Sequence, residues 1–164
     1  MNGPILSIIT VNFNNNLGLL KTLESVSSQS FSSYEHIIID AGSTDGSRET
    51  IIQYEKENPH LSFWSSEPDK GIYDGMNKGI DHAKGQYLYF LNSGDCLSQD
   101  ILAKIPFDGT EYLYGDTILF YKRKTKKRVY PDTLDLIYLS DNSLHHQSCF
   151  IHHTLFKDKR YDIN

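Results

Sequence analysis

Cysteine and long apolar runs are scarce in this chain of 164 residues, and each shortage excludes a class of protein. The two cysteines, Cys96 and Cys149, are too few for a disulfide framework and lack metal-site spacing, so we expect a reduced, cytoplasmic setting. No apolar run reaches the roughly 18 residues that a membrane-spanning helix needs. The formal net charge of -5 argues against nucleic-acid binding, which needs a clustered positive surface. A globular domain with 38% hydrophobic and 23% charged residues remains.

Two common nucleotide-binding motifs are also missing. The first strand candidate, residues 6–11, leads into Asn-Phe-Asn-Asn-Asn at 12–16, where a dinucleotide-binding fold needs a glycine-rich turn. The sequence contains no Gly-x-x-x-x-Gly-Lys-Ser/Thr segment that could cradle a triphosphate. Because these motifs are missing, the sequence excludes both a dinucleotide-binding fold and a triphosphate-binding loop of this type.

What is present is a regular alternation of strand and helix patterns over the first 95 residues. β-Branched or aromatic runs at 6–11, 37–39, 61–64 and 87–91 indicate strands. Helical patterns lie between them: one is capped by the asparagines at 14–16, one spans 47–57, and one begins near Ile72. Such alternation predicts an α/β fold with a mostly parallel, Rossmann-like sheet and helices on both faces. The length fits one domain, 1–164.

The second half of the chain departs from this alternation. Residues 112–121 and 128–130 suggest a β-hairpin with the basic run 122–128 at its turn, followed by a weak helix at 134–139 and a strand at 147–151. The basic run is readable as a solvated turn, as a contact for an anionic membrane surface or a lipid diphosphate, or as a nucleic-acid contact. The acidic remainder of the chain weakens the last of these readings.

Three carboxylates follow predicted strands: Asp40, Asp69 and Asp95. Ligands of open parallel sheets bind at the carboxyl ends of the strands, so these side chains are expected to share one crevice. Carboxylates held together repel one another unless a cation offsets them, and Mg²⁺ or Mn²⁺ does so while bridging phosphate oxygens. The pattern predicts transfer of a group away from a nucleoside diphosphate, with the metal stabilising the leaving group.

Several segments, in this order, resemble family 2 glycosyltransferases, which have the GT-A fold. They are Thr-Val-Asn-Phe-Asn at 10–14, Ser-Val-Ser-Ser-Gln at 25–29, Ile-Ile-Asp-Ala-Gly-Ser-Thr-Asp-Gly-Ser at 38–47, Asp-Lys-Gly-Ile-Tyr-Asp-Gly-Met-Asn-Lys-Gly at 69–79 and Phe-Leu-Asn-Ser-Gly-Asp at 90–95. A later block, His-His-Gln-Ser at 145–148, resembles the branch that builds bacterial polysaccharides. The resemblance implies transfer of a sugar from a nucleoside diphosphate to a glycan or lipid-linked acceptor in cell-surface polysaccharide synthesis, with inversion. It also implies that the donor is a UDP-linked sugar, because Asp40 would accept a hydrogen bond from a uracil N–H.

The resemblance also implies a role for individual residues. The nucleotide-sugar pocket would be formed by Thr10, Asn12, Asp40, Asp45, Asp69, Asn77, Lys78 and Ser93. Within it, Asp40 would accept a hydrogen bond from the base, Asp45 and Asp69 would shape the ribose and base side, and Asn77 and Lys78 would touch the diphosphate. Asp95 would coordinate manganese or magnesium, with His146 as a further ligand. Asp45 has an equally good reading as the cap of the helix that begins near Ser47.

Three departures from the family pattern leave alternatives open. The metal motif reads Ser93-Gly94-Asp95, so its first carboxylate is missing, and Met76 stands where many members carry an arginine. Residues 1–95 match the nucleotide-binding half and 96–164 part of the acceptor-side half, and we expect the catalytic base beyond Asn164. The alternatives to a transferase are a nucleotide-sugar-binding fragment without turnover and an interaction module that uses the basic hairpin. We expect a cytoplasmic location, with contact at the inner face of the membrane through 122–128.

Overall fold

The computed structural model describes residues 3–121 and 124–163. Its strands are β1 (Leu6–Asn12), β2 (Tyr34–Asp40), β3 (Leu61–Ser66), β4 (Tyr87–Phe90), β5 (Tyr112–Tyr114), β6 (Thr117–Tyr121), β7 (Lys124–Arg128) and β8 (Cys149–His152). Its α-helices are α1 (Asn16–Ser27), α2 (Ser47–Glu57), α3 (Ile72–His82) and α4 (Leu136–Asp141). In the part of the chain that the structure describes, none of these helices is long and apolar enough to cross a membrane.

The central sheet has six strands in the order β3-β2-β1-β4-β8-β5. The first four strands of this order run parallel, β8 pairs antiparallel with β4, and β5 pairs antiparallel with β8. The predicted α/β fold with a mostly parallel sheet is confirmed. Strands from both halves of the chain share this sheet, because β8 and β5 extend it beyond β4.

Helices cover both faces of the sheet, which explains why residues 37–39 of β2 are apolar without alternation. Ile38 packs with Leu19 and Leu23 of α1 and with residues of α2, whereas Ile37 and Ile39 pack with α3. Successive side chains of a strand point to opposite faces, so a strand between two helical layers buries every residue. All seven residues of β1 and all seven of β2 are buried.

Two glycines bring α3 close to the sheet. A Cβ at Gly75 would lie 2.8 Å from Val11 Cγ1, and one at Gly79 would overlap the side chain of Ile9. Because Gly75 and Gly79 are one turn apart, they form a bare stripe on the helix face that contacts β1. Only glycine allows this approach without displacing β1.

The predicted C-terminal hairpin is present, but its boundaries were wrong. Residues 112–114 form β5 in the main sheet, and the hairpin is instead the separate ribbon of β6 and β7. Most of the basic run is strand β7 rather than a turn, while its first two residues, 122 and 123, lie outside the described residues. The predicted helix and strand correspond to α4 and β8.

Candidate functional site

A cavity of about 690 Å³ opens at the carboxyl ends of β1, β2, β3 and β4. Its wall combines apolar and polar residues from the loops that follow these strands. They are Val11, Asn12, Phe13, Ala41, Gly42, Pro68, Asp69, Gly71, Ile72, Asn92 and Ser93. Asn12, Asp69 and Ser93 were predicted from the sequence as pocket residues, and the structure brings all three to this wall.

Asp40, at the end of β2, lies beneath the cavity and is completely buried. Its carboxylate accepts four hydrogen bonds: from Asn12 Nδ2 at 2.7 Å, Ser43 Oγ at 2.5 Å, Ser43 N at 2.9 Å and Ser66 Oγ at 2.6 Å. A carboxylate has about four acceptor sites, so these donors occupy all of them. A direct bond from a nucleotide base to Asp40, as predicted, would have to displace one of these groups.

The electrostatics of Asp40 follow from the same network. Burial raises the pKa of this carboxyl, but the hydrogen bonds from Ser43, Ser66 and Asn12 outweigh burial and hold the pKa below its ordinary value. Asp40 is therefore an ionised anchor. It fixes the Asn12 side chain through the amide nitrogen and leaves the amide oxygen for another partner.

Three oxygen atoms of the cavity wall are buried and have no hydrogen-bond partner among the described residues: Asn12 Oδ1, Asp69 Oδ2 and Asn92 Oδ1. The other atom of each group is engaged, because Asp69 Oδ1 accepts from Gly71 N at 2.9 Å and Asn92 Nδ2 lies 3.0 Å from His146 Nε2. Buried acceptors without donors cost about 1 to 3 kcal/mol each. The wall is thus complementary to a ligand that brings hydrogen-bond donors.

Asparagine and aspartate side chains tie the loops around the cavity together. Asn15 caps α1 through Gly18 N and donates from Nδ2 to Ser93 O at 3.0 Å. Asp45 accepts from Asn16 N at 2.7 Å and from Ser47 Oγ at 2.6 Å, so it joins the start of α1 to the start of α2. Hydrogen bonds from the Ser47 side chain and Asn16 hold the pKa of Asp45 below its ordinary value. Asp45 precedes Gly46, the N-cap residue of α2, and also accepts from Ser47 N at 3.2 Å, so it contacts the first turn without being its cap. Its contact with a ligand stays a prediction.

Thr10 is placed differently from the prediction. Its side chain is fully buried on the side of the sheet that α1 and α2 cover, where Oγ1 lies 2.9 Å from His36 Nε2. His36 Nδ1 in turn lies 3.1 Å from the Tyr54 hydroxyl. Thr10 therefore belongs to a buried hydrogen-bond network with His36 and Tyr54, two residues before Asn12 in β1, and it does not line the cavity wall.

Asn77 and Lys78, which were predicted to contact the diphosphate, both have partners within the protein. The Asn77 amide makes two hydrogen bonds of 2.9 Å with the backbone of Tyr161, one as donor and one as acceptor. Lys78 Nζ lies 3.3 Å from the Asp74 carboxylate, one helical turn earlier. Both side chains therefore have structural roles. Asn77 holds the C-terminal segment against α3, and Lys78 forms an ion pair within the helix.

Asp95 and His146, the predicted metal ligands, are brought near each other by the contact of two segments. Asp95 Oδ2 accepts from Gln147 Nε2 at 3.0 Å, and His146 Nε2 pairs with the Asn92 amide. Burial lowers the pKa of His146, and the negative charge of Asp95 offsets part of that effect. Across the described residues, no group of three or more His, Cys, Asp or Glu side chains could hold a metal ion. A cation at this position would need ligands from the substrate.

Three residues of the site were not singled out from the sequence: Ser43, Asn92 and Gln147. Ser43 gives two of the four hydrogen bonds to Asp40, Asn92 supplies an unpaired oxygen, and Gln147 holds Asp95. Their only sequence signal is their position beside residues that were chosen. Asn92 directly follows the predicted strand at 87–91, Ser43 lies three residues after Asp40, and Gln147 follows His146.

Relatives with similar sequences are glycosyltransferases. An uncharacterized glycosyltransferase of Mycobacterium tuberculosis is 43% identical over 103 residues, which cover 62% of this chain and 38% of the relative. The putative teichuronic acid biosynthesis glycosyltransferase TuaG of Bacillus subtilis is 37% identical over 101 residues, 62% of this chain and 40% of TuaG. The chain thus spans less than half the length of these curated relatives.

Solved structures with the same fold include TarS and a mannosyltransferase. The crystal structure of S. aureus TarS 1-349 in complex with UDP aligns with a TM-score of 0.72 and 18% identity, covering 93% of this chain and 48% of that one. The mannosyltransferase PcManGT from Pyrobaculum calidifontis, in complex with GDP-Man and Mn²⁺, has a TM-score of 0.56 and 18% identity, covering 62% of this chain and 30% of that one. At this identity the likeness establishes the fold alone. The family model for glycosyl transferase family 2 matches residues 7–153, so the chain belongs to that family.

Proposed function

We propose that this chain binds a UDP-linked sugar as a nucleoside diphosphate sugar donor. The sugar is transferred to a glycan or lipid-linked acceptor in cell-surface polysaccharide synthesis. Membership of family 2 supports transfer. The name of TuaG points to teichuronic acid, and structures of TarS hold UDP and UDP-GlcNAc. The choice of uridine follows these structures, since PcManGT binds GDP-Man instead.

The observation that carries the proposal is the set of three unpaired oxygens on the cavity wall. A nucleoside brings the matching groups, because its base carries N–H donors and its ribose carries hydroxyls. A diphosphate brings only acceptors and would be repelled by the same oxygens. We therefore place the base and ribose against Asn12, Asp69 and Asn92, with Asp40 fixing Asn12 from below.

The diphosphate then belongs on the side of Ser93 and Asp95. Asp95 and His146 would hold Mn²⁺ or Mg²⁺ together with diphosphate oxygens, since such ions are usually bound by one or two carboxylates plus substrate phosphates. Bound there, the ion would neutralise charge that develops on the leaving diphosphate. This donor set suits a site completed by the substrate. His146 can join it only if Nε2 gives up its bond with the Asn92 amide.

The chemistry we propose is inversion at the anomeric carbon. The acceptor hydroxyl attacks from the face opposite the diphosphate, the bond from the anomeric carbon to the diphosphate oxygen breaks, and a general base takes the hydroxyl proton. We propose that residues 1–95 supply most donor contacts and 96–164 part of the acceptor side. Gln147 and His146 nevertheless reach back to the loop that contains Asp95.

The test is calorimetric titration of uridine and of UDP with Mn²⁺ into the protein and two variants. Asp69→Ala removes the unpaired Oδ2, so we expect both ligands to bind about 10- to 100-fold more weakly, the effect of about 1.4 to 2.8 kcal/mol. Asp95→Asn should weaken UDP in the presence of Mn²⁺ and leave uridine unchanged, because only the diphosphate reaches the metal.

The matched control is Asp81→Ala. It removes an exposed acidic side chain from the last turn of α3, outside the cavity wall, where Asp81 pairs with Arg160. We expect this variant to bind uridine and UDP as the parent does. Equal binding by Asp69→Ala and Asp81→Ala, or binding of neither ligand by the parent, would contradict the proposal.

A further inference from the structure

The hairpin of β6 and β7, together with α4, carries an unusual share of the exposed apolar surface; we refer to it as the hairpin surface. Seven of the fifteen large hydrophobic side chains exposed among the described residues lie between residues 118 and 139. The most exposed are Leu136 at 86%, Phe120 at 80% and Ile137 at 78%. Contiguous apolar patches on a soluble protein mark interaction sites.

The end of the hairpin is uncovered on both faces. Phe120 and Tyr121 are consecutive residues of β6, so their side chains point to opposite faces of the ribbon. Tyr121 is 57% exposed although it is a large ring, and its cross-strand partner is Lys124. The described residues thus cover neither face at this end, and the rings at the last two positions of β6 are both exposed.

Positive charge lies beside these rings. The sequence from 117 to 128 contains six basic residues and no acidic one, in a chain whose formal net charge is -5. Lys127 Nζ lies 2.8 Å from Asp116, but no ion pair involves Lys124 or Lys126 within 3–121 and 124–163. Two free cations therefore stand on the same ribbon as Phe120 and Tyr121.

Helix α4 is connected to the base of the same ribbon. Arg128, the last residue of β7, donates from its guanidinium to Asn142 Oδ1 at 3.2 Å, and Asn142 is the residue that ends α4. No residue of α4 is buried. The exposed Leu136 and Ile137 thus belong to a helix that a hydrogen bond joins to the ribbon.

We propose that the hairpin surface docks the protein on an anionic lipid bilayer, with Phe120 and Tyr121 entering the headgroup region and Lys124 and Lys126 facing lipid phosphates. Aromatic rings and cations on one exposed element suit a bilayer surface, where anionic headgroups lie over the apolar acyl chains. An acidic protein partner would match the charge equally well. The placement of the rings favours lipid, because a packed protein interface would cover one face of the two-stranded ribbon and leave the ring on the other face exposed.

The test is co-sedimentation with vesicles of phosphatidylglycerol and phosphatidylcholine, and with phosphatidylcholine alone. We expect binding to the anionic vesicles only, and weakening at high salt. Each basic residue near an anionic surface contributes about fivefold to partitioning, so Lys124→Gln with Lys126→Gln should weaken binding about 25-fold. The control pair, Lys56→Gln with Lys104→Gln, makes the same charge change on exposed lysines elsewhere and should bind nearly as the parent does.

Insertion is tested by fluorescence of a tryptophan in place of Phe120. We expect its emission to shift to the blue with anionic vesicles, whereas a tryptophan in place of the exposed Leu20 of α1 should not respond. Absence of vesicle binding, or an equal loss in both lysine pairs, overturns the proposal. Dimerisation that Phe120→Ser abolishes, without vesicle binding, would assign the surface to a second copy. Uridine titration of the same variants, expected to be unchanged, separates this outcome from failure of the nucleotide site.

Discussion

A buried histidine should make the stability of this fold depend on pH below neutrality. His36 in β2 has no exposed surface, and its ring nitrogens lie 2.9 Å from Thr10 Oγ1 and 3.1 Å from the Tyr54 hydroxyl. Both partners are hydroxyls, which can accept from or donate to a neutral ring but bring no negative charge. Burial therefore lowers the pKa of His36 to about 3.

The size of the effect follows from the difference between the two states. The unfolded chain takes up a proton on this histidine near pH 6.5, while the folded chain resists protonation until about pH 3. The contribution to stability is therefore fully present above the unfolded pKa and is lost as the pH falls. Between pH 7 and pH 4.5 the free energy of unfolding should fall by about 2.5 kcal/mol from this residue alone.

The assay is urea unfolding at pH 7 and pH 4.5, followed by circular dichroism. His36→Gln removes the titrating group, so the parent should lose about 2.5 kcal/mol more than the variant between the two pH values. Subtracting the variant's loss cancels the carboxylates that both proteins share. Thr10→Val is the control, since it removes a hydrogen-bond partner but keeps the imidazole. It should be less stable at both pH values and keep the parent's pH dependence. An equal fall in the parent and in His36→Gln would refute the reasoning.

Two further predictions concern the sheet beneath the cavity. Gly79→Ala and Gly75→Ala should each lower the free energy of unfolding by about 1 to 3 kcal/mol, because the added methyl group meets Ile9 or Val11 of β1. Only Gly75→Ala should also weaken uridine binding in calorimetry, since its Cβ lies 3.2 Å from Asp69 Oδ2, and equal binding by both variants would contradict the cavity assignment. Asp40→Asn places an amide NH2 donor where the carboxylate oxygens accept four hydrogen bonds, and it should cost about 2 to 4 kcal/mol in urea unfolding at pH 7. The difference from the parent should become smaller as the pH falls and Asp40 itself is protonated. A difference that grows toward acid pH would contradict the lowered pKa of Asp40.

The parallel part of the fold was predictable because its pattern is strong and local. Strands buried on both faces are continuous apolar runs, as at 37–39, and each is followed by a helix with an apolar stripe. The pairing of β8 between β4 and β5 carries no comparable signal. These strands have only three or four residues, and β5 pairs with a strand more than 30 residues later. The predicted hairpin boundary was wrong for the same reason, since neither β6 (Thr-Ile-Leu-Phe-Tyr) nor β7 (Lys-Thr-Lys-Lys-Arg) alternates polar and apolar residues.

The position of the site was also predictable, whereas the state of its side chains was not. Strand ends converge on one edge, which correctly brought Asn12, Asp69 and Ser93 to the cavity wall. Whether a polar atom is free depends on partners that lie far away in sequence. Asp40 is saturated in part by Ser66, and Asn77 is occupied by Tyr161, which is 84 residues away. No local pattern encodes such pairings.

Contacts between residues distant in sequence also join the two halves of the chain, 1–95 and 96–164. A division after Asp95 passes through the site itself, because Gln147 holds the Asp95 carboxylate and His146 pairs with Asn92, while β8 lies directly beside β4. Where we propose that the base and ribose bind, the cavity wall comes from loops of the first half. Where we propose that the metal and diphosphate bind, Gln147 of the second half holds Asp95, so weakening that contact should weaken binding of the diphosphate and spare the nucleoside.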